Sequence, residues 1–121
     1  MELISDSIIE IKKSKFISLL YKINDEEDAK NVLEQLKKEH KKARHIPYAY
    51  KLDYTAKKSD DKEPQNTAGL PMLNILEREN LSGYMIVVVR YFGGTKLGAG
   101  PLLRAYATAA NEAVKKFKSK S

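Results

Sequence analysis

The feature that most constrains the fold of this chain is an apolar run followed at once by a cluster of glycines. Residues 85–89, Met-Ile-Val-Val-Val, are rich in β-branched side chains and short enough to form a strand buried on both faces. Pro101 suits the first position of a helix, where its fixed φ is favourable and its missing N–H is not needed. Four glycines fall within the eight positions before it: Gly93, Gly94, Gly98 and Gly100. Residues 84–106 therefore predict a central strand, a glycine loop and a helix.

A glycine loop at the start of a helix can present backbone N–H groups and the positive end of the helix dipole to an anion. This loop matches neither common phosphate motif. Ala99 follows Gly98 where a P-loop needs lysine, and Leu103 stands where a dinucleotide fingerprint needs a third glycine. The glycines could equally do no more than turn the chain sharply between strand and helix. The cations that flank the loop favour an anion site; they are Arg90, Lys96 and Arg104.

The composition limits the classes of protein to which the chain can belong. Its 121 residues suffice for one domain, residues 1–121, with no room for a second. With 22 Lys and Arg against 16 Asp and Glu, the net charge of +6 favours a nucleic acid or another acidic surface as partner, although such a charge can also serve only solubility. There is no cysteine, so disulfides, thiol nucleophiles and cysteine-based zinc sites are excluded. No signal-peptide pattern opens the chain and no apolar run approaches the ~20 residues that cross a bilayer, so we expect a cytoplasmic protein.

The remaining periodicities predict a small mixed domain. Residues 7–12 and 16–23 read as a hairpin of two strands, and Asn24 or Asp25 caps an amphipathic helix. Pro47 opens a third strand and Pro71 a short helix, after which the central strand and the final helix follow. The pattern predicts an α+β fold: a two-layer sandwich in which a four-stranded mixed sheet carries helices on one face.

Two further surfaces are candidates for binding. The first helix ends in a basic cluster, which either complements the helix dipole or attracts phosphate: Lys37, Lys38, His40, Lys41, Lys42, Arg44 and His45. Tyr48, Tyr50 and Tyr54 share one face of the third strand. They could belong to the core, which we favour, or form a stacking platform for single-stranded RNA.

The polar stretch 55–67 is predicted to be a long loop, and its acids could in principle act on a metal or a proton. Asp60, Asp61 and Glu63 offer oxygen ligands for Mg²⁺ or Ca²⁺, but their spacing lacks the EF-hand pattern and lysines dilute their charge, so a solvated loop is favoured. His45 has no paired nucleophile from which a triad can be assembled. A structural hydrogen bond at the entrance of the third strand is its favoured role.

Three segments together resemble the Impact/YigZ family: residues 45–50, residues 59–73, and residues 89–100 with 103–106. The last, Val-Arg-Tyr-Phe-Gly-Gly-Thr-Lys-Leu-Gly-Ala-Gly followed by Leu-Arg-Ala-Tyr, is the most specific. The resemblance covers nearly the whole chain and is to the family's conserved N-terminal domain, here standing alone. It implies the fold of the second domain of a small-subunit ribosomal protein and a role linked to translation. RNA or the ribosome is then the partner suggested by analogy of fold.

We therefore predict a regulatory module of translation, non-enzymatic and without a cofactor, that contacts RNA or the ribosome mainly through phosphate groups. One alternative is a protein-interaction regulator of stress or translation signalling that presents residues 60–69 to a partner. Another is an enzyme that holds a phosphorylated small molecule at the glycine loop and uses an acid of the polar stretch as metal ligand or base. The candidate binding residues are Arg90, Gly93, Gly94, Lys96, Gly98, Gly100, Arg104, His45, Asp60, Asp61 and Glu63. No catalytic residue, metal site or membrane contact is predicted.

Overall fold

The computed structural model of the protein describes residues 1–120, which form five strands and three helices. In chain order the elements are β1 (Glu2–Ile11), β2 (Ser14–Lys22), α1 (Glu26–Glu39), β3 (Tyr48–Lys51), β4 (Ala56–Ser59), α2 (Gly69–Arg78), β5 (Tyr84–Tyr91) and α3 (Ala99–Ser119). Over residues 1–120, no helix combines the length and the apolar character needed to cross a bilayer.

The strands form one sheet in the order β1-β2-β5-β3-β4, and every neighbouring pair is antiparallel. The predicted hairpin of β1 and β2 is confirmed, and it turns at Lys12 and Lys13, whose φ angles of 48° and 68° lie in the left-handed region. The central strand is β5, as its apolar run predicts, and only its two terminal residues are not buried. The sheet therefore holds the segment before the glycine loop in its most protected position.

Helices cover both faces of the sheet. Ile86 and Val88 of β5 face a core built with α2 and α3, whereas Met85, Val87 and Val89 face a second core built with α1. A strand alternates its side chains between the two faces, so a central strand that is apolar throughout needs cover on both. The fold is a helix layer, a sheet layer and a second helix layer.

The predicted α+β class is confirmed, but three details of the predicted architecture are wrong. The sheet has five strands rather than four, because the polar sequence Ala-Lys-Lys-Ser of β4 forms an edge strand inside the stretch predicted as a loop. It is antiparallel rather than mixed, because β5 lies between β2 and β3, the strands that α1 connects, and pairs antiparallel with both. The helices do not lie on one face, so the two-layer description fails as well.

The helix starts follow the expected chemistry with a small shift in position. Asp25 caps α1, and its side chain accepts a hydrogen bond of 2.8 Å from the Asp28 backbone N–H. Helices α2 and α3 begin two residues before Pro71 and Pro101, so neither proline stands at the first position. Proline is tolerated there because backbone N–H groups of a first turn have no intrahelical partner in any case.

The tyrosines of β3 do not form a continuous open face. Tyr50 is buried in the α1 core and donates a hydrogen bond of 2.7 Å to Glu26, while Tyr48 is half-buried and stacks against it. Tyr54 lies beyond the end of the strand and is 68 % exposed. The core role therefore holds for Tyr50, and Tyr54 is separate from it.

Candidate functional site

A cleft of about 270 Å³ opens where the C-terminal end of β5 meets the glycine loop and the segment that leads into β3. Backbone pairing fixes this junction, since the Arg90 N–H donates to the His45 carbonyl at 2.9 Å and the Arg44 N–H donates to the Arg90 carbonyl at 2.8 Å. The cleft is lined by Arg44, His45, Glu63, Pro64, Arg90, Phe92, Lys96, Leu97 and Leu102. It thus brings together four of the predicted site residues: His45, Glu63, Arg90 and Lys96.

The floor of the cleft is a buried ion pair. Arg90 is 5 % exposed and Glu63 is 8 % exposed, and the Arg90 Nη1 donates to the Glu63 Oε2 at 2.6 Å. The Tyr106 hydroxyl donates to the same oxygen at 2.5 Å. Burial raises the pKa of Tyr106, and the hydrogen bond to the Glu63 carboxylate raises it further, so this hydroxyl stays protonated and remains a donor. Glu63 is therefore held by an arginine and a tyrosine that come from β5 and α3.

The three guanidinium nitrogens of Arg90 differ in their contacts. Its Nη2 lies 3.4 Å from the Ser14 hydroxyl, and its guanidinium lies over the Phe16 ring at 5.4 Å. Its Nε is buried and has no hydrogen-bond partner among residues 1–120. A buried donor without a partner is costly, so the unpaired Nε of a residue that lines a cleft calls for an explanation, and a bound group is one.

His45 joins the acidic stretch to the floor of the cleft. Its Nδ1 lies 2.7 Å from the Asp61 carbonyl oxygen, which only accepts, so Nδ1 carries a proton and donates it. The other ring nitrogen, Nε2, faces the Glu63 Oε1 at 3.4 Å. The predicted structural hydrogen bond of His45 is therefore present, and the ring additionally contacts the buried carboxylate.

The other two acids of the polar stretch bind backbone groups of their own domain. Asp60 accepts hydrogen bonds from the backbone N–H groups of Asn66, Ala68 and Gly69, at 2.9, 3.1 and 2.9 Å. Asp61 accepts one of 2.7 Å from the Ile46 N–H. Within residues 1–120, no three His, Asp or Glu side chains are grouped as a metal site would require. These carboxylates organise the loop, and Asp60 satisfies the start of α2, which has no side-chain cap of its own.

Replacing Asp60 with alanine is expected to lower the free energy of unfolding by about 2 kcal/mol, the upper end of the range for loss of a helix cap, because N–H groups at the start of α2 lose their acceptor. Urea denaturation measures this loss. Glu34→Ala is the matched control, since Glu34 is an exposed acid within α1. Equal stability of the two variants would contradict the capping role.

The glycine loop divides into two parts with different reasons for glycine. A side chain at Gly93 would place its Cβ 2.1 Å from the Lys13 carbonyl, and Gly94 has a φ of +91°. These two glycines are required by close approach to the β1–β2 hairpin and by the turn. A Cβ at Gly98 would meet nothing nearer than 3.8 Å, and one at Gly100 would meet only the flexible end of Arg104 at 3.5 Å. The sharp-turn interpretation therefore accounts for the first pair and leaves Gly98 and Gly100 unexplained.

Exposed cations lie in and near the cleft. Arg44 and Lys96 line it, and both are exposed. The Phe92 ring, 36 % exposed, lies close to two guanidinium groups, that of Arg44 at 4.5 Å and that of Arg90 at 5.9 Å from the ring centre. Arg104 is exposed on α3 near Gly100 and does not line the cleft. Within residues 1–120, no ion pair is formed by Arg44, Lys96 or Arg104.

Sequence reasoning did not identify Phe92 or Tyr106 as parts of this site, and it counted Arg44 only as one cation of a helix end. The available signal was Arg90 itself. A charged residue at the end of a run of buried apolar residues needs an opposite charge or a special purpose, since burying a lone guanidinium is costly. That consideration calls for a buried acid elsewhere in the chain, although it cannot say which.

Comparison with known proteins bears on the predicted family. The model of the Impact N-terminal domain matches residues 12–114. The chain is 44 % identical over 107 residues to the Bacillus subtilis Impact family member YvyE, covering 86 % of this chain and 49 % of YvyE. It is 39 % identical over 117 residues to the Escherichia coli Impact family member YigZ, covering 89 % of this chain and 55 % of YigZ. The chain thus spans about half the length of these relatives.

The fold comparison agrees. The structure of the two-domain translational regulator Yih1 matches 95 % of this chain and 46 % of Yih1, with a TM-score of 0.59 and 26 % sequence identity. The family match takes in β2 to β5 and most of α3, and with them every residue that lines the cleft. On this evidence the chain belongs to the Impact family, through the domain that the family model describes as its N-terminal one.

Proposed function

We propose that this domain is a regulatory module of translation that contacts RNA or the ribosome through phosphate groups. Support at the level of the family comes from the match to the Impact N-terminal domain and from the similarity to Yih1, whose structure is described as that of a translational regulator. The phosphate contact is inferred from the charges around the cleft. The contact surface consists of the glycine loop, Lys96, Arg104 and the basic end of α1.

The observation that carries the proposal is that Arg44, Lys96 and Arg104 are exposed and form no ion pair among residues 1–120. Arg44 links the basic end of α1 to the glycine loop, because its guanidinium lies 4.5 Å from the Phe92 ring. Lys96 and Arg104 continue the surface towards the start of α3. The nearby acids have other partners, since Asp60 and Asp61 accept hydrogen bonds from backbone N–H groups and Glu63 forms an ion pair with Arg90. Such a surface attracts a polyanion and confers little sequence preference.

The same geometry bears on the alternative in which the polar stretch is presented to a protein partner. Its three carboxylates are engaged inside the domain, and the exposed residues between them and α2 are Lys62, Pro64, Gln65 and Asn66. Charge reversal of these acids would therefore disturb the fold as well as any contact with a partner. For this reason we place the test of function on the cations.

Binding to ribosomes and to generic RNA is expected to weaken steeply as salt is raised. Lys96→Glu and Arg104→Glu should each reduce the affinity at low salt about tenfold and flatten the slope of log K against log salt by about one, because each removes about one phosphate contact. Co-sedimentation with ribosomes and fluorescence anisotropy with RNA measure the two affinities. Lys115→Glu is the matched control, since Lys115 is exposed about 20 Å further along α3 from Leu102 by helix geometry.

The proposal is contradicted if the wild-type domain binds neither ribosomes nor RNA at low salt. It is also contradicted if Lys115→Glu weakens binding as much as Lys96→Glu, because net charge rather than this surface would then account for the affinity. Circular dichroism spectra of the variants establish that the fold is intact before the affinities are compared.

A further inference from the structure

The charges that line the cleft are arranged more specifically than those of a general cationic surface. Among the residues that line the cleft, three are arginine or lysine, Arg44, Arg90 and Lys96, and only one is an acid. That acid, Glu63, already accepts hydrogen bonds from Arg90 and Tyr106. The lining of the cleft therefore carries an excess positive charge, since Arg44 and Lys96 form no ion pair within residues 1–120.

The donors at the cleft are of the kind that recognise oxyanions. The Arg90 side chain is more than nine-tenths buried at the cleft wall, and its Nε has no partner. Helix α3 starts beside the cleft at Ala99, with Gly98 as its cap residue and no side-chain cap. The first N–H groups of a helix have no intrahelical partner, so this end adds a partial positive charge to that of the cations.

The walls and the size of the cleft limit the ligand. Pro64, Phe92, Leu97 and Leu102 supply apolar surface, which strengthens attraction between charges by keeping water away. A volume of about 270 Å³ lies below the range of ~300–1,000 Å³ typical of pockets for drug-sized ligands. A single compact group fits this space.

From these observations we infer that the cleft binds one phosphate group, held by Arg44, Lys96 and Arg90 at the start of α3. This inference deepens the proposed function, on which it rests for the identity of the polyanion, by placing one phosphate in a defined pocket. The phosphate belongs either to an RNA strand or to a free phosphate ester, and the chemistry of recognition is the same for both. Gly98 and Gly100 take part by keeping the approach to the helix start free of side chains.

Titration with inorganic phosphate, followed by nitrogen-15 NMR, tests the inference directly. The Arg90 side-chain Nε–H signal and the backbone signals of residues 96–102 are expected to shift in a saturable way, and sodium chloride of equal ionic strength should not reproduce the shift. Arg44→Gln and Lys96→Gln should each raise the phosphate Kd about tenfold, since each removes one charge-assisted hydrogen bond. Lys115→Gln, on the distal part of α3, should change it less than twofold.

Titrations with two RNA oligonucleotides distinguish the source of the phosphate. If the cleft holds a terminal phosphate, a 5′-phosphorylated RNA oligonucleotide shifts the Arg90 signal and binds about tenfold more tightly than its 5′-hydroxyl counterpart. If it holds a backbone phosphate, the two oligonucleotides behave alike. If inorganic phosphate shifts the signal and neither oligonucleotide does, the site stands and serves a free phosphate ester, while the proposed RNA contact fails.

The inference is overturned if phosphate leaves the Arg90 Nε–H signal in place, or if Arg44→Gln and Lys96→Gln leave the phosphate Kd within twofold of wild type. Either result combined with intact RNA binding would show that the polyanion uses the outer surface alone. The test uses substitutions of the exposed residues Arg44 and Lys96. Arg90 is part of the buried ion pair, so its replacement would also destabilise the domain.

Discussion

Replacing Glu63 with glutamine is expected to lower the free energy of unfolding by about 3–5 kcal/mol, the cost of leaving one member of a buried ion pair without its partner. The reason is local. Arg90 is 5 % exposed, and its Nη1 loses the carboxylate that it contacts at 2.6 Å, so its charge stays buried and uncompensated. Urea denaturation monitored by circular dichroism measures the loss.

A double-mutant cycle separates this pair from its surroundings. Arg90→Met should also destabilise the domain strongly, and the double variant Glu63→Gln with Arg90→Met should lose clearly less than the sum of the two single losses. Glu79→Gln is the matched control, because Glu79 forms its ion pairs, with Arg78 and Lys118, at the surface. Glu79→Gln should lower the free energy of unfolding by only a small fraction of the loss expected for Glu63→Gln, since water screens surface ion pairs. Additive losses in the cycle would contradict the coupling.

Gly93→Ala is expected to be the second severe substitution, with a loss of roughly 3 kcal/mol, the upper end of the usual cost of overpacking. The added Cβ would lie 2.1 Å from both the carbonyl carbon and the oxygen of Lys13. Both are backbone atoms of the hairpin turn, so relief requires a movement of the chain and cannot come from a side-chain rotation. Thermal and urea denaturation report the loss.

The other glycines of the loop supply graded controls for this prediction. Gly98→Ala should change the stability by less than about 1 kcal/mol, because its φ of −68° suits any residue and no atom lies within 3.4 Å of the new Cβ. Gly94→Ala should fall between the two, since its Cβ meets open space but its φ of +91° costs about 1–2 kcal/mol for an L-residue. An equal effect at all three positions would refute the distinction between contact and conformation.

The sequence was informative where the structure depends on local patterns. The run from Met85 to Val89 predicted a central strand, and the glycines and Pro101 predicted a loop and a helix after it; all three elements are present. The same run also contained the information that helices cover both faces, because a strand without a polar side cannot leave one face open to water. The two-layer prediction overlooked that implication.

The site depended on contacts between distant residues, and for that reason much of it could not be read from the chain. Glu63 sits in a polar stretch and looked like a solvated acid, yet it pairs with Arg90, 27 residues away, and with Tyr106, 43 residues away. The need for Gly93 arises from Lys13, on the hairpin at the other end of the chain. Spacing within a segment carries no trace of such contacts, and the resemblance to a family identified the motifs without giving the reason for each residue.

The position of β5 between β2 and β3 governs the order in which the domain can assemble. Both neighbours precede it in the chain, and each has an edge that only residues 84–91 can pair. During synthesis the ribosome therefore releases β2 and β3 with open edges, and they stay open until β5 has been made. Native pairing of this kind is long-range and slow, and unpaired edges promote association between chains. A nascent chain of this protein thus depends on residues 84–91 to close the sheet, and it is most vulnerable to aggregation just before they appear.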